Sequence, residues 1–309
     1  MSELNSSKPL VSVIIPTYNH AHFLKKCLQS VVDQSFSDWE ALVINNFSED
    51  HTIDIVKSFG DTRIHLVNFR NNGIIAASRN EGLRLARGEI IAFLDSDDWW
   101  YPNKLDLAVK YLEGANVVYH DLIIHNQKGR NIFRKLRARR LKKPVFVDLM
   151  TSKTVLFNSS VVARKSIINR VGNLSEDESL VGAEDSDLWL KIARVTDKFV
   201  YIPKSLGAYW TGGGNVTEVS EKQIERAKSL YNRHFSELKP NDRKEAELFM
   251  SYSIGRIKQK LGFKQEAKSY FRHAMKSKNI QLKLKSIIAQ VFNSMLSNKL
   301  TMLHDRLTT

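Results

Sequence analysis

The chain has 309 residues, of which 42% are hydrophobic and 26% are charged, and its formal net charge is +14. This composition predicts a globular protein with one large apolar core or two smaller ones. It excludes a disulfide framework, because Cys27 is the only cysteine, and no apolar run approaches the roughly 18 residues of a membrane-spanning helix. The polar start shows no secretory signal, so we expect a cytoplasmic protein with Cys27 buried among apolar helix residues.

Short apolar runs and amphipathic segments alternate over the first third of the chain. Strands are predicted at 10–15, 40–44, 63–67 and 89–94, with helices between them at 23–32, 53–59 and 76–86. Such alternation with short connections predicts a parallel sheet covered by helices on both faces. Because ligands bind beyond the carboxyl ends of the strands in such sheets, we expect a site formed by 17–19, 45–49 and 95–98.

The second half of the chain changes from mixed to helical character. A strand is predicted within 115–125 and a helix at 186–193. Beyond 220 we expect helices, of which 245–278 resembles one tetratricopeptide-type helix pair. Apolar residues at spacings of three and four from 284 to 296 are expected to dock onto that pair, with insertion into a membrane surface as the alternative. We therefore predict a first domain at 1–219 and a helical region at 220–309.

Three carboxylates within four residues follow the fourth predicted strand: Asp95, Asp97 and Asp98. Carboxylates this close repel one another in a folded site unless a cation shares them. Hard oxygen ligands suit Mg²⁺ or Mn²⁺ that keeps open positions for substrate phosphates. The other interpretation is a helix-capping loop, since Asp and Ser are common there.

Three blocks of the sequence, in order, resemble the family 2 glycosyltransferases of the GT-A fold that assemble bacterial glycans. The blocks are VSVIIPTYNH at 11–20, NNGIIAASRNEGLRLARGEIIAFLDSDD at 71–98 and GNLSEDESLVGAEDSDLWLKIA at 172–193. The resemblance covers 10–215 and implies an α/β nucleotide-sugar-binding fold with a mainly parallel sheet, followed here by an all-helical C-terminal region. It also implies transfer of a hexose from a nucleoside diphosphate sugar to a hydroxyl of a glycan or of a polyisoprenyl-diphosphate-linked glycan.

The resemblance assigns roles residue by residue. Asp97 would hold Mn²⁺ or Mg²⁺ between the two phosphates, and Asp95 would face the ribose or the sugar. The implied donor site comprises Pro16, Thr17 and Tyr18 under the base, together with Asn46, Arg79, Asp95 and Asp98. A surface role for Arg79 and ordinary strand-end packing for Tyr18 are the alternatives.

The base of the donor is less constrained, because the chain departs from the family at Asn45 and Asn46. The family commonly has two aspartates here, one of which bonds the base. An asparagine offers both an acceptor and a donor, so it can still meet a uracil imide. We expect uridine as the donor nucleoside only because it is frequent in the family.

The resemblance implies that Asp185 is the general base. An acceptor hydroxyl is a poor nucleophile and must lose its proton as it attacks the anomeric carbon, and direct attack with one base inverts that centre. Glu184 and Asp187 are the alternative bases. The three acids can also serve the helix that follows, because they lie in its first turn and complement its dipole.

Beyond these motifs, the glycines within Tyr209–Asn215 predict a flexible loop that closes over the donor. Aromatic residues near the site could stack on sugar rings, with core packing as the alternative for Trp99: Trp99, Trp100, Tyr209 and Trp210.

The net charge is concentrated in two regions. Residues 128–143 hold nine Lys or Arg and no acid, and residues 220–309 hold 19 Lys or Arg against eight acids. The basic segment 128–143 fits either an anionic membrane face, where the protein would be peripheral on the inner side of the cell membrane, or a solvated loop without a partner. We expect no nucleic acid partner, because no nucleic-acid-binding motif accompanies the charge. A non-catalytic sugar-binding or nucleotide-binding module is the other rival function.

Overall fold

The structure is a computed structural model that describes residues 8–126, 129–153, 156–212 and 220–291, with the backbone alone for 129–133. The chain divides into two compact units. Of the described residues, those within Met1–Val145 and Thr154–Asn215 form the first unit, and those within Phe146–Lys153 and Val216–Thr309 form the second. The predicted boundary between 219 and 220 borders a segment outside the description and stays a prediction. One difference is clear: Phe146–Lys153 clusters with the C-terminal helices.

The first unit is an α/β structure around one sheet. Its strands are β1 (Val11–Thr17), β2 (Trp39–Asn45), β3 (Ile64–Asn68), β4 (Ile90–Phe93), β5 (Trp99–Trp100), β6 (Val117–Asn126), β7 (Gly129–Leu136), β8 (Val162–Arg164) and β9 (Phe199–Trp210). Its helices are α1 (Ala21–Val32), α2 (Thr52–Ser58), α3 (Ile75–Leu85), α4 (Lys104–Tyr111), α6 (Lys165–Arg170) and α7 (Glu184–Val195). Helix α5 (Val145–Thr151) begins in the first unit with Val145, and its other residues belong to the second unit.

The sheet confirms the predicted α/β fold with a mainly parallel core. Its strand order is β3-β2-β1-β4-β8-β6-β9-β5, with β7 beside β6. Strands β3, β2, β1 and β4 run parallel, and so do β6 and β9, whereas β8 is antiparallel to both of its neighbours. The first four strands and the three helices between them lie within two residues of their predicted bounds at every end. Those strands are recognisable because both faces of β1, β2 and β4 are buried, which selects continuous apolar runs.

Helix α3 packs so closely on β1 that only glycine fits between them. A Cβ atom on Gly82 would lie 2.6 Å from the Cγ2 of Ile14. On the same helix, Arg79 is buried with 4% of its surface exposed. The close approach therefore places Arg79 beside the carboxyl ends of the strands. Cys27 is fully buried on α1, as expected.

The second unit is helical in its described part. Its helices are α8 (Glu221–His234), α9 (Pro240–Lys260), α10 (Lys264–Ala274) and α11 (280–291), with the start of α5 contacting α8 through the rings of Phe146 and His234. Helices α9 and α10 form a helix pair, in which Gly255 lets Phe271 approach the α9 backbone. Its resemblance to a tetratricopeptide unit stays a prediction.

One expectation about the second unit is wrong. The apolar seam that begins at Leu284 does not dock onto the helix pair: Leu284, Ile287, Ile288 and Val291 are exposed, and the opposite face of α11 is buried. The small side chains of Ser286 and Ala289 on that face permit closer packing than the large aliphatic ones. The remainder of the seam lies outside the described residues. Across the part of the chain that the structure describes, no helix is long and apolar enough to cross a membrane.

Candidate active site

The ends of neighbouring parallel strands assemble the predicted site. In the sheet register Thr17 of β1 lies beside Asn45 of β2, and Ile14 lies beside Phe93 of β4. The loops after β1 and β2 are cross-linked, because the Asn19 N–H donates to the Ser48 hydroxyl at 2.9 Å. The strands themselves thus bring the loops at 18–20, 46–51 and 94–98 to one edge of the sheet.

Two exposed aromatic residues lie in the first two of these loops. Tyr18 is 51% exposed and Phe47 is 48% exposed, and the guanidinium of Arg70 lies 5.0 Å from the Phe47 ring centre. Phe47 and Asn19 have positive φ angles of 53° and 50°, a conformation that is uncommon for residues other than glycine. Held strain of this kind is typical of ligand sites. The exposure of Tyr18 also argues against its role in ordinary strand-end packing.

Asn46 is oriented by the backbone. Its side-chain oxygen accepts a hydrogen bond from the Asn71 N–H at 3.0 Å, and its own N–H donates to the Thr17 carbonyl at 3.0 Å. The amide of Asn46 therefore points its NH₂ group away from Asn71. Asn45, in contrast, is buried and bonds Asn68 and Ser48, so it holds the loop together. Pro16 and Thr17 lie in β1 itself and are buried beneath the loop.

Asp95 is fixed by three groups from three parts of the chain. Its Oδ1 accepts hydrogen bonds from Arg79 Nη2 at 2.7 Å and from Asn158 Nδ2 at 3.0 Å. Its backbone N–H donates to the Ser159 hydroxyl at 3.1 Å. The carboxyl group remains partly exposed, so its other oxygen is available at the site.

The side chains of Asp97 and Asp98 differ in how deeply they are buried. Asp98 is 1% exposed, and its Oδ1 accepts a hydrogen bond from the Trp210 N–H at 2.9 Å. It faces the interior and ties the loop to the end of β9. Asp97 is half-buried, and burial together with the Asp95 charge raises its pKa to about 7. Burial, followed by the charges of Asp97 and Asp95, raises the pKa of Asp98 well above its usual range.

The carboxylates fit a divalent cation in their chemistry. Burial, followed by the charges of the neighbouring carboxylates, raises the pKa values of Asp97 and Asp98, and a bound cation would stabilise their ionised forms. Within the described residues, no group of three or more His, Cys, Asp or Glu side chains is arranged to hold a metal. Mg²⁺ does not need one, since it usually binds one or two carboxylates together with water and substrate phosphates. Asp97, with Asp95 beside it, could hold such an ion.

Arg79 joins two motifs that are far apart in the sequence. Its Nη2 is paired with Asp95 and its Nη1 with Glu184, the first residue of α7. Burial alone would lower the pKa of Arg79, but the two carboxylates raise it, so the guanidinium stays charged. Both terminal nitrogens of the guanidinium are therefore paired with protein carboxylates, and Arg79 links the loop after β4 to the start of α7.

Of the three acids at the start of α7, Asp185 is the least buried. Glu184 is 4% exposed and is held by Arg79 and by the Gly182 N–H. Asp187 is fully buried and pairs with Lys191 at 3.6 Å. Asp185 is half-buried, and burial together with the adjacent Glu184 charge raises its pKa to about 7, although Arg79 acts to lower it.

The predicted glycine loop begins later than expected. Tyr209 and Trp210 belong to β9, and only Thr211 and Gly212 of the remainder are described; 213–215 lie outside the description. Trp210 packs on Phe23 with ring centres 5.2 Å apart. Trp100 is buried and donates from Nε1 to the Ser159 carbonyl at 2.8 Å, so it belongs to the core. Trp99 lies under the ammonium group of Lys26 and against His125.

Sequence reasoning missed several residues that organise the site. Asn158 and Ser159 hold Asp95, and His20 Nδ1 lies 2.9 Å from the Ser96 hydroxyl. The available signal was a polar trio, Asn-Ser-Ser at 158–160, inside an apolar stretch. Polar residues that interrupt a buried run need partners, which makes them candidates for holding a site.

Comparisons with known proteins point to glycosyltransferases. A family model described as Glycosyl transferase family 2 matches residues 12–172. An uncharacterized glycosyltransferase of Rickettsia typhi is 30% identical over 200 residues, covering 63% of this chain and 62% of that protein. The chain thus matches less than two thirds of that relative's length. A UDP-Glc:alpha-D-GlcNAc-diphosphoundecaprenol beta-1,3-glucosyltransferase of Escherichia coli is 31% identical over 191 residues, covering 60% of this chain and 70% of that protein.

Two solved structures share the fold. TarS of S. aureus, residues 1–349 in complex with UDP-GlcNAc, superimposes with a TM-score of 0.62 at 17% identity, covering 92% of this chain and 89% of that one. A mannosyltransferase of Pyrobaculum calidifontis in complex with GDP-Man and Mn²⁺ gives a TM-score of 0.58 at 20% identity, covering 96% of this chain and 81% of that one. At these identities the likeness establishes the fold alone.

Proposed function

The chain belongs to glycosyl transferase family 2, and we propose that it is a metal-dependent inverting enzyme that transfers a hexose from a nucleoside diphosphate sugar. In this proposal the base is uracil, and the acceptor is a hydroxyl of a glycan or of a glycan carried on a polyisoprenyl diphosphate. The Escherichia coli relative is named as a UDP-glucose-dependent enzyme acting on a diphosphoundecaprenol-linked sugar, which supports both choices.

The chemistry divides between the two sides of the site. Asp185 takes the proton of the acceptor hydroxyl as its oxygen attacks the anomeric carbon, and the bond from that carbon to the diphosphate oxygen breaks on the opposite face. Asp97 and Asp95 would hold a divalent cation, which supplies positive charge for the departing nucleoside diphosphate. Direct displacement inverts the anomeric centre.

One observation carries the proposal: the Arg79 guanidinium binds the donor motif and the base motif at once. Asp95 precedes Asp97 by two residues, and Glu184 precedes Asp185 by one. The pairing of Arg79 with both Asp95 and Glu184 supports assigning the predicted cation ligand and the predicted general base to a single site. A non-catalytic sugar-binding module has no need for an ionisable base beside such a cluster.

The test is hydrolysis and transfer measured across UDP-, GDP- and dTDP-hexoses with Mn²⁺ or Mg²⁺. We expect turnover with UDP-hexoses that stops when the metal is chelated, and product analysis should show inversion. Nucleotide binding without any turnover on glycan or lipid-linked acceptors would favour the non-catalytic module.

Base recognition gives a prediction at Asn46. Its oxygen is used by the Asn71 N–H, so its NH₂ group is the part that meets the base, and it suits a carbonyl oxygen of uracil. In Asn46→Asp a carboxylate oxygen, which accepts hydrogen bonds, replaces the NH₂ group, which donates them. The variant side chain can then bond the imide N–H of uracil but not its carbonyl oxygen. We expect the ratio of UDP to CDP affinity to change by about tenfold or more, measured by calorimetry. Asn72→Asp, which changes the same charge nearby, is the control, and an unchanged ratio in Asn46→Asp contradicts this role.

The proposal includes an anionic membrane surface for the basic segment 128–143. Its described part begins in β7, which pairs with β6, and the side chains of Arg134, Lys135, Arg137 and Arg140 are exposed. Each basic residue near an anionic leaflet contributes about 1 kcal/mol. Replacing these four by Ser should lower the affinity for anionic vesicles by at least about tenfold and leave transfer to a soluble acceptor intact. Unchanged vesicle binding, or tight binding to RNA or DNA, contradicts it.

A further inference from the structure

Helix α11 leaves a continuous apolar face uncovered. Its exposed aliphatic residues are Ile280 at 72%, Leu284 at 53%, Ile287 at 41%, Ile288 at 54% and Val291 at 52%. Elsewhere in the described ranges, large apolar side chains are exposed singly or in pairs, such as Tyr111 and Val195. Such scattered residues are normal for a protein surface, whereas a contiguous set marks an interaction site.

The direction of this face is fixed by packing on the other side of the helix. Leu282, Ser286 and Ala289 are buried, and Ala289 packs with Ala267 and Phe271. At about 100° per residue, the five exposed aliphatic residues occupy an arc about 100° wide on the opposite side. From Ile280 to Val291 the stripe is about 17 Å long. This described length is enough for the helix to lie in the surface of a bilayer.

Lysines border the stripe on both sides. Lys283 and Lys285 are exposed, and on the helical wheel they fall on opposite flanks of the aliphatic arc. Residues 276–291 contain four lysines and no acid. Long lysine side chains can lay their methylene groups along an apolar surface while their ammonium groups reach anionic headgroups. An exposed aliphatic stripe flanked by cations is the feature by which interfacial helices bind anionic membranes.

We propose that α11 lies in the surface of an anionic membrane, with Leu284, Ile287 and Ile288 inserted among the acyl chains. A protein partner fits less well, because binding hot spots are enriched in Trp, Tyr and Arg, and the stripe contains none. A second copy packed stripe to stripe would bring the lysines of the two helices together and repel them. The proposal does not depend on glycosyl transfer, and its surface belongs to the other unit from the basic segment 128–143.

Sedimentation of the full chain with vesicles tests this surface. Vesicles of phosphatidylcholine are compared with vesicles that also contain phosphatidylglycerol. We expect Leu284→Ser combined with Ile288→Ser to lower affinity for the anionic vesicles at least tenfold, and Lys283→Gln combined with Lys285→Gln to lower it about 30-fold. Val195→Ser and Lys57→Gln change comparable exposed residues elsewhere and should have no effect.

The outcomes separate the possible occupants of the face. An affinity for anionic vesicles that is unchanged in both double variants overturns the proposal, as does an absence of binding to anionic vesicles. Equal binding to both kinds of vesicle overturns the role of the lysines. A dimer seen by sedimentation velocity that dissociates in the Leu284→Ser, Ile288→Ser variant, without vesicle binding, assigns the face to a second copy. The basic segment 128–143 is intact in these variants, so its proposed membrane role is tested separately by its own Ser variant. Thermal unfolding confirms that the variants fold.

Discussion

Replacing Asp185 by Asn is expected to lower kcat by about 10²- to 10⁴-fold, the range that general-base catalysis contributes. The amide keeps the shape of the carboxyl group, so the hydrogen bond that Ser186 N–H donates to Oδ1 can persist and α7 should fold unchanged. Affinity for UDP with Mn²⁺ should also remain, because the base meets the acceptor hydroxyl and not the nucleotide. Calorimetry and steady-state rates measured on the same protein separate the two effects.

Glu178→Gln is the matched control for this variant. Glu178 is exposed in the same acidic segment, and its loss removes one negative charge without touching Arg79 or α7. It should retain activity close to that of the unchanged chain. If Asp185→Asn loses nucleotide affinity along with turnover, Asp185 has a donor-side or structural role, and the assignment of the base is wrong.

The pH dependence of kcat/KM should report the ionisation of Asp185. Burial and the Glu184 charge raise the pKa of Asp185 to about 7. A base works only when it is deprotonated, so kcat/KM should increase with pH through about 7 and level off above it. Saturating Mn²⁺ keeps Asp97 ionised, which leaves Asp185 as the group responsible for the acid limb. Residual activity of Asp185→Asn should lack that limb.

The parallel part of the fold could be predicted from sequence because its residues are selected locally. Strands β1, β2 and β4 are buried on both faces, so each is a short run of apolar residues bounded by polar ones. The loops that follow them could be placed at one edge of the sheet by topology alone. The resemblance then pointed to Asp95 and Asp97 because they directly follow such a strand.

The remaining features depend on contacts that no local pattern encodes. The pairing of Arg79 with Glu184 joins residues 105 positions apart, and the inward direction of Asp98 is set by the N–H of Trp210. For α11 the sequence showed an amphipathic helix but not which face packs. Leu282, Ser286 and Ala289 pack inward, and the small side chains of Ser286 and Ala289 allow close helix approach on that face. The other aliphatic residues are left exposed.

Replacing Asp97 by Asn is expected to lower transfer by at least about 10²-fold at saturating donor, because the charge that the cation supplies to the leaving diphosphate is lost with its ligand. Asp106→Asn, an exposed change on α4, is the control and should leave activity intact. Near-normal turnover of Asp97→Asn at saturating Mn²⁺ and Mg²⁺ would show that the ion is held elsewhere. Calorimetric titration of UDP with and without Mn²⁺ gives a second readout, since the metal should strengthen UDP binding only when Asp97 is present.

The same substitution should stabilise the metal-free protein, and the sign follows from the raised pKa. The folded-state pKa of Asp97 is about 7, above the value of about 3.9 for an unfolded chain. Stability is therefore lost as pH increases from about 4 towards 7, because ionising Asp97 in the folded state works against burial and the Asp95 charge. Asp97→Asn removes that cost, so its unfolding midpoint should exceed that of the unchanged chain at pH 8 and match it near pH 4. Mn²⁺ should raise the midpoint of the unchanged chain at pH 8 and leave Asp97→Asn nearly unaffected, since a cation is bound by the ionised carboxylate. If the difference in unfolding midpoint between Asp97→Asn and the unchanged chain does not vary with pH, the ionisation of Asp97 does not destabilise the folded protein.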